Sequence, residues 1–129
     1  MKDYINEIQV SLKVSDFTCD VSQISNILGV RSTHIWKKSP KAIALHEPNC
    51  WMHKITKYNI IYVEKMIDAL VDIFENRIEN FKQLPKGCIF EIFITCFFKR
   101  GMSSITFNKR AIDFIHTIGA EVYVDLYGK

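Results

Sequence analysis

The sequence has no run approaching the roughly 20 apolar residues of a membrane span. Its opening Met1-Lys2-Asp3-Tyr4 leads into polar residues among apolar ones, where a signal peptide would place an apolar core. Both absences point to a cytoplasmic chain with no anchor of its own. Cysteine is sparse: Cys19, Cys50, Cys88 and Cys96 lie far apart, each in or beside an apolar stretch. That spacing reads as reduced core thiols, because a disulfide framework is denser. Proline is scarcer still. Pro40 and Pro48 punctuate the least regular part of the chain, and Pro85 follows a long helical pattern. There is no glycine-rich phosphate loop, no Gly-x-Ser-x-Gly and no His-Glu-x-x-His. The formal net charge of +3 is too small to argue for nucleic acid by itself.

What is present is a folded core. Apolar residues make up 48% of 129 residues, enough for a single globular domain spanning 1–129. The clearest unit is at the end. Asn108 suits an N-cap, Ala111, Ile112, Ile115 and Ile118 form a helical stripe, and Gly119 suits a left-handed stop. Ala120, Val122, Val124 and Leu126 then alternate with polar or aromatic residues, which predicts a strand with one buried face.

Earlier, Ile8, Val10, Leu12 and Val14 alternate as a first strand. Asp20 and Gln23 make a loose capping box before Val21, Ile24, Ile27 and Leu28, and Gly29 ends that helix. Thr33 to Trp36 and Trp51 to Thr56 read as further strands. Tyr62 to Leu84 reads as one long amphipathic helix ended by Pro85 and Gly87. Cys88 to Phe98 is apolar on both parities, which predicts a central strand covered on most of both faces. Ser104 to Phe107 is expected to pair back on it as a hairpin. Ile8–Trp36 and Ile89–Tyr127 share the order strand, helix, glycine, strand, a pseudo-repeat. The architecture expected is α+β, a mostly antiparallel sheet with helices packed on one face, in the manner of ferredoxin-like folds.

Chemistry candidates are few. Cys50 and His53 are too few for a metal site, and on a strand they point to opposite faces. No histidine is placed beside Cys19 or Cys50, the two thiols expected to be reachable, to activate either as a nucleophile. Glu91 interrupts the most apolar strand. Buried alone it would be a perturbed acid of functional interest; paired with a lysine or near a solvent gap it would be structural, and that is the favoured reading. Asp125 has the same two readings. No cofactor is expected, and no catalytic residue is assigned. The segment 31–57 sets Arg31, Lys37, Lys38, Lys41 and Lys54 among His34, Trp36 and Trp51. Such a mix suits a protein interface, where Trp and Arg dominate the energetics. It also suits nucleic acid, by phosphate contact and stacking. Taken by itself, the stretch reads first as a solvated lysine-rich loop with two core tryptophans.

Three stretches carry a family resemblance: "Ile-Leu-Gly-Val" at 27–30 followed by "Ser-Thr-His-Ile-Trp" at 32–36, Trp51 opening the next strand, and "Ile-Gly-Ala-Glu-Val-Tyr-Val-Asp-Leu-Tyr" at 118–127. In these the chain resembles the bacterial domain-of-unknown-function family 4279. Arg31 and Ser32 stand where that family often has proline, and Lys37 to Ser39 where it often has glycine. The resemblance implies an α+β fold with no established catalytic residues. It also implies a bacterial cytoplasmic setting in which such domains can serve as immunity proteins beside secreted or contact-dependent toxins. The function expected is therefore a non-catalytic protein-binding module that neutralises a cognate toxin, with Arg31, His34, Trp36, Lys37, Lys38, Lys41, Trp51 and Lys54 as its partner-binding residues. A nucleic-acid-binding or regulatory domain using 31–57 is the alternative. No membrane partner is expected.

Overall fold

The strand at the middle of the sheet, β1 (Asn6–Ser15), puts Ile8, Val10, Leu12 and Val14 on one face, and all four are fully buried. This is the alternation read from the sequence. The computed structural model describes residues 6–36, 49–60, 62–99 and 104–128. Among these, β1 is followed by α1 (Val21–Leu28), β2 (His34–Trp36), β3 (Cys50–Tyr58), α2 (Val63–Phe74), a 3-10 turn (Glu75–Arg77), α3 (Ile78–Phe81), β4 (Ile89–Phe98), α4 (Lys109–Ile118) and β5 (Glu121–Gly128).

The strands form one sheet in the order β2-β3-β1-β4-β5. β1 runs antiparallel to both β3 and β4, β2 is antiparallel to β3, and β5 is parallel to β4. The first four strands, with α1 and α2, reproduce the ferredoxin-like order. β5 extends that sheet past β4 by way of α4. The expected class, α+β with a mostly antiparallel sheet and helices packed on it, is what the chain adopts.

The pairing register sorts the side chains into two faces. Ile8, Val10, Leu12 and Val14 share one face with Trp51, His53 and Ile55 of β3 and with Ile92, Ile94 and Cys96 of β4. Against it pack Val21, Ile24 and Leu28 of α1, Val63, Met66, Ile67, Leu70, Val71 and Phe74 of α2, and Ala111, Phe114 and Ile118 of α4. An aromatic chain crosses this core in edge-to-face contacts. Trp51 meets Phe74 at 6.3 Å, Phe74 meets Phe81 at 6.0 Å, and Phe81 meets Phe90 at 5.4 Å and Phe114 at 6.3 Å. Such pairs add stabilisation beyond their buried area.

The helix ends behave as read. Asp20 accepts from the Ser22 amide, and Asn108 accepts from the Ala111 amide at 2.9 Å. Gly29 and Gly119 close α1 and α4 with φ of 68° and 71°, a region cheap for glycine alone.

Four expectations are corrected. The single long helix over 62–84 is broken: α2 stops at Phe74, and a 3-10 turn leads into the short α3. At that break Arg77 donates to the Leu28 carbonyl and Asn80 to the Ile27 carbonyl. The two side chains thus satisfy carbonyls that the end of α1 leaves free, a tertiary demand that periodicity does not show. Ser104 to Phe107 forms no strand, because both edges of β4 are occupied, by β1 and β5. β4 itself is buried on one face and only half-covered on the other. β5 alternates as expected, but its apolar parity is not buried: Val124 and Leu126 are exposed. The pseudo-repeat holds in element order, as β1-α1-β2 and β4-α4-β5 with Gly29 and Gly119 closing the helices, but the two halves lie differently in the sheet. β1 and β2 are separated by β3, whereas β4 and β5 are neighbours.

Candidate functional site: a surface for a partner

Three surfaces carry the polar and aromatic groups that packing does not consume. The first is the edge formed by β2 and β3. Here the Lys54 amide donates to Thr33 Oγ1 at 2.8 Å, and His53 Nδ1 bonds the Arg31 carbonyl at 2.8 Å. These bonds lay the 31–36 segment along β3, so Arg31, His34 and Lys54 come together there, with Arg31 and His34 exposed and Lys54 partly so. Of the other residues read as partner-binding, Trp36 lies in β2 opposite Cys50. Its side chain lies outside the described part of the chain, as do Lys37, Lys38 and Lys41 altogether.

Trp51 is a different matter. It is 0% exposed, packs edge-to-face on Phe74, and donates from Nε1 to Ser25 Oγ at 2.8 Å. A side chain sealed and hydrogen-bonded in this way is a core residue and does not touch a partner. The sequence could not show this, because Trp51 sits among lysines and histidines.

The second surface is the face of the sheet opposite the helices, over β4 and β5. Phe93 stacks on Tyr123 and Phe97 on Tyr127, each pair with centroids 5.1 Å apart and planes within 16°. The parallel register that sets Phe93 beside Tyr123 and Phe97 beside Tyr127 imposes this stacking. Lys13, from β1, places its ammonium 5.6 Å from the Phe93 centroid and 3.9 Å from Glu91. Glu91 is thus the lysine-paired carboxylate that the structural reading of it anticipated. Tyr123 donates to Glu121 at 2.6 Å, and that bond pushes its phenol up to about 12. Gln9 bonds Glu7 on the same face. Tyr127 is 51% exposed, and Asp125 beside it is open to solvent. The face is therefore a row of fixed aromatic plates bordered by Glu7, Glu91, Glu121 and Asp125. Composition hides it, because odd-numbered Phe and Tyr on two separate strands look like core until the register pairs them.

The third surface is an open cleft of about 660 Å³ between α4 and the α2–α3 break, lined by Glu75, Ile78, Arg110, Asp113, Phe114 and Thr117 among others. Its guanidinium is already engaged. Arg110 grips Glu75 through two nitrogens, at 2.9 and 2.7 Å, and also bonds Asp72. These hydrogen bonds hold the Glu75 carboxyl below the usual range and keep Arg110 charged. Lys109, a second cation lining the cleft, is paired with Asp113 at 3.3 Å, so each of these two cations already has a carboxylate partner.

The thiols are placed as structural groups. All four are free, and Cys50 and Cys96 are buried. Cys50 had been expected to be reachable. Burial instead pushes its thiol up, as it does for Cys88 and Cys96, so the reactive thiolate is disfavoured. Among the described residues no group of three or more His, Cys, Asp or Glu converges to hold a metal ion. Among the same residues no helix is long and apolar enough to cross a membrane.

No curated protein and no solved structure matches the chain. One protein family does, over residues 6–129, which is nearly the whole chain and includes every element of the fold. With that coverage the chain belongs to the domain-of-unknown-function family DUF4279.

Proposed function

We propose that this chain is a non-catalytic protein-binding module and that it acts as an immunity protein, neutralising a cognate toxin domain by covering it. The observation that carries the binding role is the bare β4–β5 face with its two stacked aromatic pairs. Four rings held by a sheet lose little side-chain entropy when a partner covers them. Rigid aromatic anchors with a charged rim are what interface hot spots are made of. The charge on this face also separates protein from nucleic acid as partner. Stacked rings could receive bases, but Glu7, Glu121 and Asp125 outnumber Lys13, whose ammonium is paired with Glu91, and this acidic balance disfavours a phosphate backbone. A protein partner presenting basic residues satisfies both features, and Arg31, His34 and Lys54 at the far edge offer it a second, positive zone. The immunity role rests on the bacterial setting that the family resemblance implies.

The experiment is co-expression with the product of the neighbouring toxin gene, followed by isolation of the complex and a growth-protection assay. A stable complex that protects cells is expected. Phe97→Ala with Tyr127→Ala should weaken the complex by at least tenfold, mainly in dissociation rate. Absence of both complex and protection would sink the reading. Retained affinity in the double variant would move the contact off this face.

A further inference from the structure

β5 is an edge strand of an unusual kind. Its inner side is hydrogen-bonded to β4 from Glu121 to Gly128, and it ends the strand order. Among the described residues no strand pairs with its outer side. Proteins that remain monomeric blunt such an edge with a short strand, lysine, proline or a bulge. The opposite edge of this sheet is blunted in that way, since β2 has three residues. β5 has eight, and none is Lys, Arg or Pro. Its side chains on the helix face are left bare as well, with Val124 41% and Leu126 57% exposed. On α4, Arg110, Asp113, Phe114 and Thr117 face α2 and α3. By helical periodicity the opposite flank carries Ile112, which is 54% exposed, and half-buried Ile115. An apolar strip on the helix layer thus accompanies the unpaired strand.

The sequence of β5 specifies what fits there. Two copies joined antiparallel through β5 are related by a two-fold axis perpendicular to the sheet, so opposed residues must share a face and one residue must oppose itself. With the axis at Val124, seven residues pair. Val124 meets Val124 of the second copy, and Val122 meets Leu126. On the other face Tyr123 meets Asp125, and Glu121 meets Tyr127. Apolar residues oppose apolar residues, and each carboxylate stands opposite a tyrosine. An axis at Tyr123 would set Glu121 against Asp125, and an axis at Asp125 would set that carboxylate against itself. Like charges directly opposed are unfavourable. Axes nearer either end would pair fewer residues.

From this self-complementarity we propose that β5 is a homodimer interface: two copies of the chain pair through it, antiparallel and centred on Val124, into one continuous ten-stranded sheet. Stable interfaces bury on the order of 1,200–2,000 Å², more than one strand ladder offers. The Ile112–Ile115 flanks of the two α4 helices, brought side by side above the joined strands, belong to the same surface. The helix-free face of the sheet also becomes continuous, so the stacked tyrosines of both copies lie on one side of the dimer.

The test is the mass of the full chain by sedimentation equilibrium over a range of concentrations, with two variants. The wild type is expected to approach twice the monomer mass. Val124→Lys should return it to the monomer with an unchanged circular dichroism spectrum, while Ile35→Lys, an exposed position in β2 at the opposite edge of the sheet, should leave the dimer intact. A second measurement reads the register. Self-opposed residues in an antiparallel pair lie roughly 4.5–5.5 Å apart between Cα atoms, within reach of a disulfide. Oxidised Val124→Cys should therefore cross-link, above the level its native thiols give, and Leu126→Cys should not. A wild type that stays monomeric at its highest soluble concentration overturns the proposal, even if β5 then captures a strand of some other protein. So does a dimer that survives Val124→Lys, and equal cross-linking of both cysteine variants overturns the register.

Discussion

Trp51 shows how a residue in a basic stretch can belong to the core. Trp51 and Trp36 both sit in a basic, histidine-bearing stretch. Trp51 is nonetheless sealed between β3 and α2, with its indole N–H matched to Ser25. Removing it should behave as a core deletion. Trp51→Ala is expected to destabilise the fold by about 3–5 kcal/mol, since a cavity replaces the largest buried ring. Trp51→Phe should cost less, from the lost Ser25 bond and the partial void. Urea denaturation of the two variants checks the order, and a stable, soluble Trp51→Ala would contradict the core assignment. Glu91 makes the same point for charge. Its position in an apolar strand allowed either a functional acid or a paired one, and Lys13, from the adjacent β1, decided it.

At the scale of elements, the caps were legible because they are local. Asp20, Asn108, Gly29 and Gly119 each satisfy groups within one helical turn. The two C-terminal glycines differ in what surrounds them, and that difference is testable. Both have positive φ, so alanine is strained at either by about 1 kcal/mol. A methyl at Gly119 would meet nothing within 4 Å, whereas one at Gly29 would lie 2.5 Å from Arg77 Nη1. That guanidinium bonds the Leu28 carbonyl, so pushing it aside uncaps α1 as well. Gly29→Ala should therefore lower the thermal midpoint more than Gly119→Ala does, and equal losses would show that Arg77 moves freely. The break in the long helix belongs here too. Its heptad-like stripe is continuous in sequence, and only the pull of Arg77 and Asp72–Glu75 toward other helices reveals why it ends at Phe74.

Across the whole molecule, the α4–β5 unit joins the ferredoxin-like part through the β4–β5 ladder and the buried Ala111, Phe114 and Ile118, and polar bonds from α4 to α2 add to these. Asn108 donates to Asp68 at 2.8 Å, and Arg110 holds Glu75 and Asp72. The linkage makes stability pH-dependent in a definite direction. Hydrogen bonding from Arg110 lowers the Glu75 pKa in the folded state, so the folded protein favours the ionised carboxylate. Its contribution is fully present above the unfolded carboxylate pKa, near 4.3, and is lost as pH falls through the lower folded value. The stability gap between wild type and Glu75→Gln should therefore be widest near neutrality and close in acid. Denaturation curves across that range check it, and a gap that widens in acid would reverse the assignment. Because the pair is solvent-exposed, the gap should be small and should shrink with salt.

The sequence by itself determined what depends on nearest neighbours along the chain. It settled that β1, β3, β4, α1 and α4 exist, where both capped helices start and stop, the α+β class with its ferredoxin-like order, and the family through its closing Ile118–Tyr127 stretch. The elements and their ends follow from periodicity and cap chemistry, which act over a few residues, whereas the family follows from the resemblance of the quoted stretches. Tertiary structure alone decided which parity of each strand is covered, because covering depends on how many helices there are and where they land. Helices α1, α2 and α4 shield the β1 face, while the side chains of the outer half of β5 stay exposed. It also decided that Phe93 and Phe97 meet Tyr123 and Tyr127, since a parallel register between strands joined through a helix is set by the crossover and not by either strand. The closing strand thus looks from its alternation like one more core element. In the folded chain it is the sheet's bare edge and the border of its exposed aromatic face.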